Sequence, residues 1–471
     1  MSDPAPDDRF DLVIIGTGPA GEKAAAQAGY FGKRVAIVER APEPGGAGVH
    51  TGTLPSKTLR ETALYLSGHQ SRALYGVAVE LDRTAELVHL MARKNAIAES
   101  ESRRIRENLA RHQITYVHGT ATVADAHTVV VESPEGRRSL AAEFILLATG
   151  SRPYRPKDID FADDRIHDSD ELLSIGRLPD RLIILGAGVI GCEYACMFAA
   201  LGSKVTLVDT RDKILPFLDH EVVERLSDSM RKLGVELRQN VRWSKVVRDG
   251  DDVRVELSDG SSIEADQLLF TAGRLGNTDG LGLDAVGVKV DPRGYVTVDD
   301  MYRTSVPSIY AAGDVIGFPA LASVSMEQGR VAMCHAFGFD YKRRVSRMMP
   351  YGIYTIPETS AVGETEQTCR EKGIDAVVGR AFYEANARGK ITGDTEGMTK
   401  LVVCAKTKKL LGVHVIGENA TELVHVGQAV LHLEGTVDLF IDMVFNFPTL
   451  AETFKYAAYD CLGAMARRSK T

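Results

Sequence analysis

Two stretches of the sequence have the residue types and spacing to hold a dinucleotide. Gly16-Thr17-Gly18-Pro19-Ala20-Gly21 follows the apolar run Asp11-Leu-Val-Ile-Ile15, and Gly186-Ala187-Gly188-Val189-Ile190-Gly191 follows Arg181-Leu-Ile-Ile-Leu185. In such a turn the first glycine allows the tight bend, the second lets the backbone approach a pyrophosphate, and the third lets helix and strand pack closely. The pyrophosphate would rest on the free N–H groups of the helix that follows. Each unit ends in an acid that can accept hydrogen bonds from a ribose: Glu39 after Val35-Ala-Ile-Val38, and Asp209 after Lys204-Val-Thr-Leu-Val208. A carboxylate suits the ribose diol of NAD and a guanidinium suits the 2′-phosphate of NADP. Asp209 and Arg211 together therefore predict a site that takes either, and two such units predict two bound dinucleotides.

A third stretch, Gly45-Gly46-Ala47-Gly48-Val49-His50-Thr51-Gly52-Thr53-Leu54-Pro55-Ser56-Lys57, reads as a glycine loop running into a helix start. A lysine is unfavourable at the positive end of a helix, so Lys57 calls for a partner. Other elements must hold these residues in place. The alanine-rich Glu22–Ala28 reads as the helix after the first turn, and the apolar strand Phe144–Leu147 leaves through Ala148-Thr149-Gly150-Ser151-Arg152-Pro153. Ser308–Asp314 reads as a strand ending in an acid, followed by a helix over Leu321–Arg330. Between Arg83 and Ala110, the spacing of Leu87, Leu90, Met91, Ile97, Ile105 and Leu109 predicts a long helix packed on a surface, with no chemistry of its own. From about Ser346 the pattern changes to strands (Gly352–Ile356, Lys400–Cys404, Leu410–Ile416) and helices (Glu422–Glu434, Ala451–Arg468) without a glycine fingerprint. That region reads as an α+β domain built for packing or association.

A chain of 471 residues exceeds the ~250–300 at which a single core stops growing, so several domains are expected. A net charge of −8 argues against a nucleic-acid or anionic-membrane surface. The N-terminus, Met1–Asp8, is acidic and is not read as a signal peptide, and no run approaches a membrane span. Six cysteines without a Cys-x-x-Cys pair or a zinc spacing fit a reducing cytoplasm. Cys192 and Cys196, one helical turn apart, are expected to be buried core residues.

In this order, and over nearly the whole chain, the motifs resemble the class I pyridine nucleotide-disulfide oxidoreductase superfamily. The resemblance rests on both fingerprints, Gly45–Lys57, Ala148–Pro153, Gly273-Arg274, Tyr310–Asp314, and Ile356-Pro357-Glu358 with Val362-Gly363. It implies an α/β fold with two Rossmann-like dinucleotide-binding domains and a C-terminal α+β dimerisation domain. The FAD domain would be split into 9–158 and 278–345, the NAD(P) domain would be 159–277, the association domain 346–471, and the assembly a homodimer or a larger homo-oligomer. By carry-over, Gly16, Gly18, Gly21 and Glu39 hold the ADP half of FAD and Asp314 its ribitol. Gly46, Thr149, Gly150 and Gly273 join the cofactor-binding set, with Gly186, Gly188, Gly191, Asp209 and Arg211 for the nicotinamide dinucleotide. The helix start at Leu321 and Ala322 would steady charge at flavin N1, and Lys57, paired with Glu193, would lie near N5. A lysine beside a carboxylate and an electron-rich ring is stabilised and can steady the reduced flavin.

Two features of the superfamily are missing. Its redox cysteines would fall at Gly48 and Thr53, and its acid-base histidine at Phe447 within Phe445-Asn446-Phe447-Pro448-Thr449-Leu450-Ala451-Glu452. A phenyl ring cannot exchange a proton. Thr449 and Glu452 also have the spacing of a capping box, which gives Glu452 a structural reading beside a catalytic one. Hydride exchange between a flavin and nicotinamides needs neither a dithiol nor a proton relay. Gly52–Lys57, Ser151-Arg152-Pro153-Tyr154 and Phe445–Thr449 are similar to the branch of the superfamily that exchanges hydride between NADPH and NAD+, whose members commonly keep one cysteine at the position of Gly48. The resemblance implies ping-pong transfer at one nicotinamide site, on the flavin face opposite Thr53. An NAD(P)H:quinone or oxygen oxidoreductase and a non-catalytic flavoprotein subunit are the alternatives.

Overall fold

The structure is a computed structural model that describes residues 8–68 and 83–468. The acidic residues 1–7 and the side chain of Leu87 lie outside the described residues. The chain forms two compact units, one of Met1–Thr58, Met91–Tyr154 and Gly273–Ser346, the other of Leu59–Leu90, Arg155–Ala272 and Arg347–Thr471.

In the first unit the strands Thr115–His118, Val35–Glu39, Arg9–Ile15 and Gly136–Leu147 lie side by side in that order, all parallel. Gly136–Leu147 is shared between two pairings. Its first half takes the antiparallel hairpin Thr120–Asp125 and Thr128–Ser133, while Ile145–Leu147 take the parallel strand Ile309–Ala311. Alternate residues feed two cores: Leu12, Ile14, Ile37 and Leu146 face the helix Pro19–Tyr30, and Val13, Ile15, Val38 and Leu147 face the other side. Strands buried on both faces read as unbroken apolar runs, which is why the sequence shows them plainly. The hairpin was not anticipated, because Arg137-Arg138-Ser139 is polar and only the last residues of its strand look apolar. The Ser308–Asp314 strand shrinks to Ile309–Ala311, since Gly313 turns the chain at φ 83°. Its helix begins at Ala322 and runs on to Phe337, where Gly338 ends it in the left-handed conformation. That helix lies close to Pro19–Tyr30: a Cβ at Gly329 would sit 2.5 Å from the Ala20 carbonyl oxygen. The long helix is Arg83–Arg111, with Leu90, Ile105 and Leu109 buried.

The second unit holds a parallel sheet in the order Val235–Arg238, Lys204–Val208, Arg181–Leu185, Gln267–Phe270, Ile166–Asp168. The helix Val189–Ala200 follows its glycine turn. An antiparallel sheet of Tyr351–Ile353, Thr359–Gly363, Leu410–Ile416, Met398–Cys404 and Ala376–Phe382 carries the helices Ala420–His432 and Thr453–Arg468. The expected strand Gly352–Ile356 stops at Ile353 because the next residues leave the ladder: the Tyr354 N–H donates to Glu193 at 2.9 Å, and the Thr355 carbonyl accepts from Arg60 at 2.9 and 3.1 Å. The expected capping box does not form. Thr449 caps the short 3-10 turn Leu450–Glu452 without a side-chain bond, and its hydroxyl donates instead to the Asn446 carbonyl at 2.8 Å.

A buried cation ties the antiparallel sheet that holds Lys400 to the helix His220–Lys232, which follows the strand Lys204–Val208. Lys400 has no exposed side-chain surface, and its ammonium lies 2.9 Å from Asp219, 3.0 Å from Glu221 and 3.0 Å from Glu366. Asp219 also caps the helix His220–Lys232 by accepting the Glu221 N–H, and Arg380 meets Glu221 at 2.7 and 2.8 Å. Burial pushes the Lys400 ammonium down, but the three carboxylates outweigh it and hold its pKa above the ordinary value. Burial likewise pushes Glu221 up, and Arg380 and Lys400 hold it below the usual carboxylate range. A depressed carboxylate adds stability above its unfolded pKa and loses it as pH falls through the folded one; a raised lysine adds stability below its unfolded pKa and loses it as pH rises through the folded one. The cluster is therefore fully formed at neutral pH. Lys400→Met, which takes the cation from buried Asp219 and one ion-pair partner each from Glu221 and Glu366, should destabilise the protein at pH 7 by roughly 3–5 kcal/mol in urea unfolding. That deficit should shrink as pH is lowered towards 4, because the orphaned carboxylates then become neutral.

Candidate dinucleotide sites

The first glycine turn is closed by a carboxylate reaching back from the next strand. Glu39, buried at the end of Val35–Glu39, accepts the Thr17 N–H at 3.0 Å and the Thr17 hydroxyl at 2.5 Å with one oxygen, and the Ala41 N–H at 2.9 Å with the other. Gly16 has φ 105°, and a side chain there would strike the Ala148 carbonyl; one at Gly21 would strike the Gly16 carbonyl. Nothing lies within 4 Å of where a Cβ at Gly18 would stand. Gly18 is also the N-cap of Pro19–Tyr30 and offers no side-chain cap, so the N–H groups of that helix start are left for a ligand.

The second turn repeats the design within its own unit. Asp209 accepts the Ala187 N–H at 2.6 Å, the counterpart of the Glu39 bond to Thr17. A Cβ at Gly191 would strike the Gly186 carbonyl, whereas Gly188 faces open space and caps Val189–Ala200 without a side-chain bond. The difference lies two residues after the acid, where the first unit has Ala41 and the second Arg211. Arg211 folds back in a two-pronged pair, Nε to one Asp209 oxygen at 2.9 Å and Nη2 to the other at 2.7 Å, with its side chain still 44% exposed. Burial pushes the Asp209 carboxyl up, but the bonds from Arg211 and Ala187 outweigh it and hold the pKa below the usual range. The guanidinium is therefore paired with the acid itself while part of it stays open to solvent.

The remaining expected residues are divided between the two units. In the first unit Gly46 has φ 57°, and a Cβ there would lie 3.0 Å from the Gly18 Cα, so the Gly45-Gly46 loop passes directly over the first turn. Thr149 and Asn277 exchange bonds of 2.7 and 3.0 Å, and Gly150, at φ 70°, faces open space. Gly273 has φ 126°, and a Cβ there would lie 3.7 Å from the Tyr154 side chain. Asp314 accepts the Ser151 hydroxyl at 3.2 Å, and Leu321 is the N-cap of Ala322–Phe337 with no side-chain bond, leaving that helix start open as well. Gly48 lies in the short helix Gly46–His50, exposed Thr53 opens the helix Thr53–Ser67, and Lys57 lies one turn into it, its ammonium 3.3 Å from the Ser56 hydroxyl. In the second unit Glu193 is buried one turn into Val189–Ala200 and accepts the Tyr354 N–H. Lys57 and Glu193 belong to different units.

Two further sets of residues hold the glycine loop in place. The Thr17 hydroxyl, besides donating to Glu39, accepts the Gly45 N–H at 3.0 Å and so links the ribose acid to the loop. The Pro44 carbonyl takes the Ser102 hydroxyl at 2.9 Å and His50 Nε2 at 3.0 Å, which clamps the loop to the long helix. Thr17 could have been singled out in the sequence, since the matching residue of the second turn is Ala187 and has no hydroxyl. Ser102 carries no local signal, being one serine in a charged helix.

Both turns fit a dinucleotide: uncapped helix starts, a glycine open to an approaching phosphate, and a carboxylate at the ribose position. All six cysteines are free thiols. Cys192 and Cys196 have no exposed surface, and burial raises both, Cys196 to about 12, so neither is a thiolate at neutral pH. Phe447, in the position of the superfamily's histidine, is 73% exposed. Among the described residues no cluster of metal-ligating side chains occurs, and no helix is long and apolar enough to cross a membrane.

Known proteins are similar to the chain along nearly its whole length. The chain is 45% identical over 97% of its length to a soluble pyridine nucleotide transhydrogenase of Mycobacterium bovis, of which 98% is covered. It is 44% identical over 97% of its length to the protein of that name from Azotobacter vinelandii, of which 99% is covered. Among solved structures, LpdA of Mycobacterium tuberculosis superposes with a TM-score of 0.88 at 30% identity, covering 96% of this chain and 99% of that one. The HOCl-induced flavoprotein disulfide reductase RclA of Escherichia coli gives 0.87 at 28% identity, with 96% and 99% covered. Residues 349–458 match the dimerisation domain of the pyridine nucleotide-disulphide oxidoreductases. With residues 10–329 matching the main domain as well, the chain belongs to the pyridine nucleotide-disulphide oxidoreductase family, which is FAD-dependent and uses NAD(P)H.

Proposed function

We propose that the protein is a homodimeric flavoenzyme that moves hydride between NADPH and NAD+, giving NADP+ and NADH, by alternate binding of the two nucleotides at one site and without a redox disulfide. The observation that carries this reading is the pairing of two intact dinucleotide turns with the absence of cysteine at Gly48 and Thr53: the chain can hold the cofactors of its family but has no sulfur relay. The names of its relatives support the same reaction. Bound FAD supplies a two-electron carrier that takes hydride from one nicotinamide and returns it to another.

The rest is the work of the chain's own residues. Residues 9–158 and 278–345 hold FAD, 159–277 hold the nicotinamide dinucleotide, and 346–471 associate the subunits. The open N–H groups after Gly18 and Gly188 neutralise pyrophosphate charge, Glu39 and Asp209 fix the ribose rings, and Asp314 holds the ribitol. Positive charge comes from the helix start at Leu321 and Ala322 and from Lys57, with Glu193 as the carboxylate that balances it. Thr53 leaves room where a sulfur would stand. Holding the reactants in place in this way can contribute ~7–11 kcal/mol towards the barrier. Six unpaired cysteines suit a cytoplasmic setting.

The reaction is tested by offering NADPH together with thio-NAD+ and a soluble quinone. Reduced thio-NAD is expected as the main product; rapid loss of NADPH to quinone or air with thio-NAD+ left untouched would reject the proposal. Lys57→Met should slow bleaching of the flavin by NADPH in stopped flow roughly ten- to a hundredfold, the loss of one charged interaction, and an unchanged rate would remove Lys57 from the chemistry. Arg211→Ala should raise the KM for NADPH by about tenfold or more, as expected for a lost charge-assisted pair with the 2′-phosphate. The KM for NADH should move little, since Asp209 keeps its bond to Ala187.

A further inference from the structure

The strand-to-helix connection after Asp209 presents one large apolar side chain to solvent. Ile214 and Leu215 are fully buried, and Leu218 and the N-cap Asp219 are buried again, but Phe217 between them is 48% exposed. Its position is fixed from both sides. The Leu215 N–H bonds the carbonyl of Ala187 in the second glycine turn at 3.3 Å, and Leu215 takes φ 44° to do so. The Phe217 ring lies against Tyr351, centroids 5.5 Å apart and planes at 49°. Tyr351 is itself held, its N–H and carbonyl side facing Thr359–Gly363 and its carbonyl accepting the Ser360 hydroxyl at 2.8 Å. Three residues on, the Tyr354 N–H bonds Glu193, one turn into the helix that begins at the glycine turn.

Phe217 and Tyr351 thus flank the second turn, one tethered through Leu215 to Ala187, the other through Tyr354 to Glu193. Two residues span at most ~7 Å of chain, so Phe217 cannot lie far from the turn. A dinucleotide with its adenosine ribose on Asp209 and its pyrophosphate at Gly188 leaves its adenine and its nicotinamide half to be placed, and of the two rings only the oxidised nicotinamide is a cation, the kind of group an aromatic face holds best. We infer that Phe217 and Tyr351 form an aromatic wall that positions the nicotinamide half of the bound dinucleotide. The inference rests on the assignment of this turn to NAD(P). An aromatic face attracts the cationic ring of the oxidised nucleotide, and a wall of this kind holds each incoming nucleotide without a specific hydrogen bond, which suits a site that must accept two of them in turn.

Calorimetric titration of the oxidised holoenzyme with NAD+ and with ADP-ribose, which has no nicotinamide, tests this directly. Phe217→Ala should weaken NAD+ by roughly three- to tenfold, the range for loss of one aromatic or cation–π contact, leave ADP-ribose within about twofold, and keep the urea midpoint of the wild type. Phe217→Tyr should restore NAD+ affinity, and Tyr351→Leu, which keeps bulk but not the ring, should reproduce the selective loss if Phe217→Ala folds poorly. Equal weakening of both ligands, or of neither, would overturn the inference. A wild-type enzyme that bound neither ligand would instead reject the assignment of the turn to NAD(P), and the wall with it.

Discussion

A carboxylate at the end of one strand, accepting an N–H from the glycine turn at the end of its neighbour, is the bond on which both nucleotide units depend. Glu39 holds Thr17 and Asp209 holds Ala187 in the same way. A buried amide bonded to an ionised group has a charge-assisted hydrogen bond, stronger than a neutral one. It fixes the turn before any ligand arrives, so the helix start does not have to be ordered on binding.

From that shared bond the two units diverge through single residues. Thr17 adds a hydroxyl that reaches the Gly45 loop, and Ala187 has none. Arg211 adds a guanidinium at the place of Ala41. The first change suits a cofactor that stays, because it couples the ribose acid to the loop passing over the same turn. The second suits a substrate that comes in two forms. The guanidinium is paired with Asp209, and under the proposed function a 2′-phosphate would offer it a second anion of suitable geometry. Loss of the thiols at Gly48 and Thr53 is consistent with this division, since a carrier that exchanges hydride between nucleotides needs no outlet beyond them.

Much of this was legible in the sequence because parallel strands are apolar on both faces and glycine turns have fixed spacing. Arg181–Leu185, Lys204–Val208 and Leu410–Ile416 stand where they were expected. The hairpin over residues 120–133 was not, since half-exposed antiparallel strands with polar residues carry a weaker pattern. Thr449 has the spacing of a cap, but its hydroxyl found a nearer carbonyl at Asn446, a competition that side-chain spacing alone does not reveal. At the sites, the sequence named the glycines and the acids. The closed Arg211–Asp209 pair, the Ser102 clamp and the Phe217–Tyr351 contact depend on distances between remote segments, and no local pattern encodes them.

The Lys400 cluster bears on how the chain can be divided. Its ammonium belongs to the antiparallel sheet, and two of its three carboxylates belong to the helix after the second nucleotide strand. Cutting the gene near residue 346 would leave Lys400 with only Glu366 of its three carboxylates in one fragment and put Asp219 and Glu221 in the other without their shared cation. The C-terminal region is therefore not cleanly detachable: the charge of its buried lysine is balanced largely by acids that precede it in the chain.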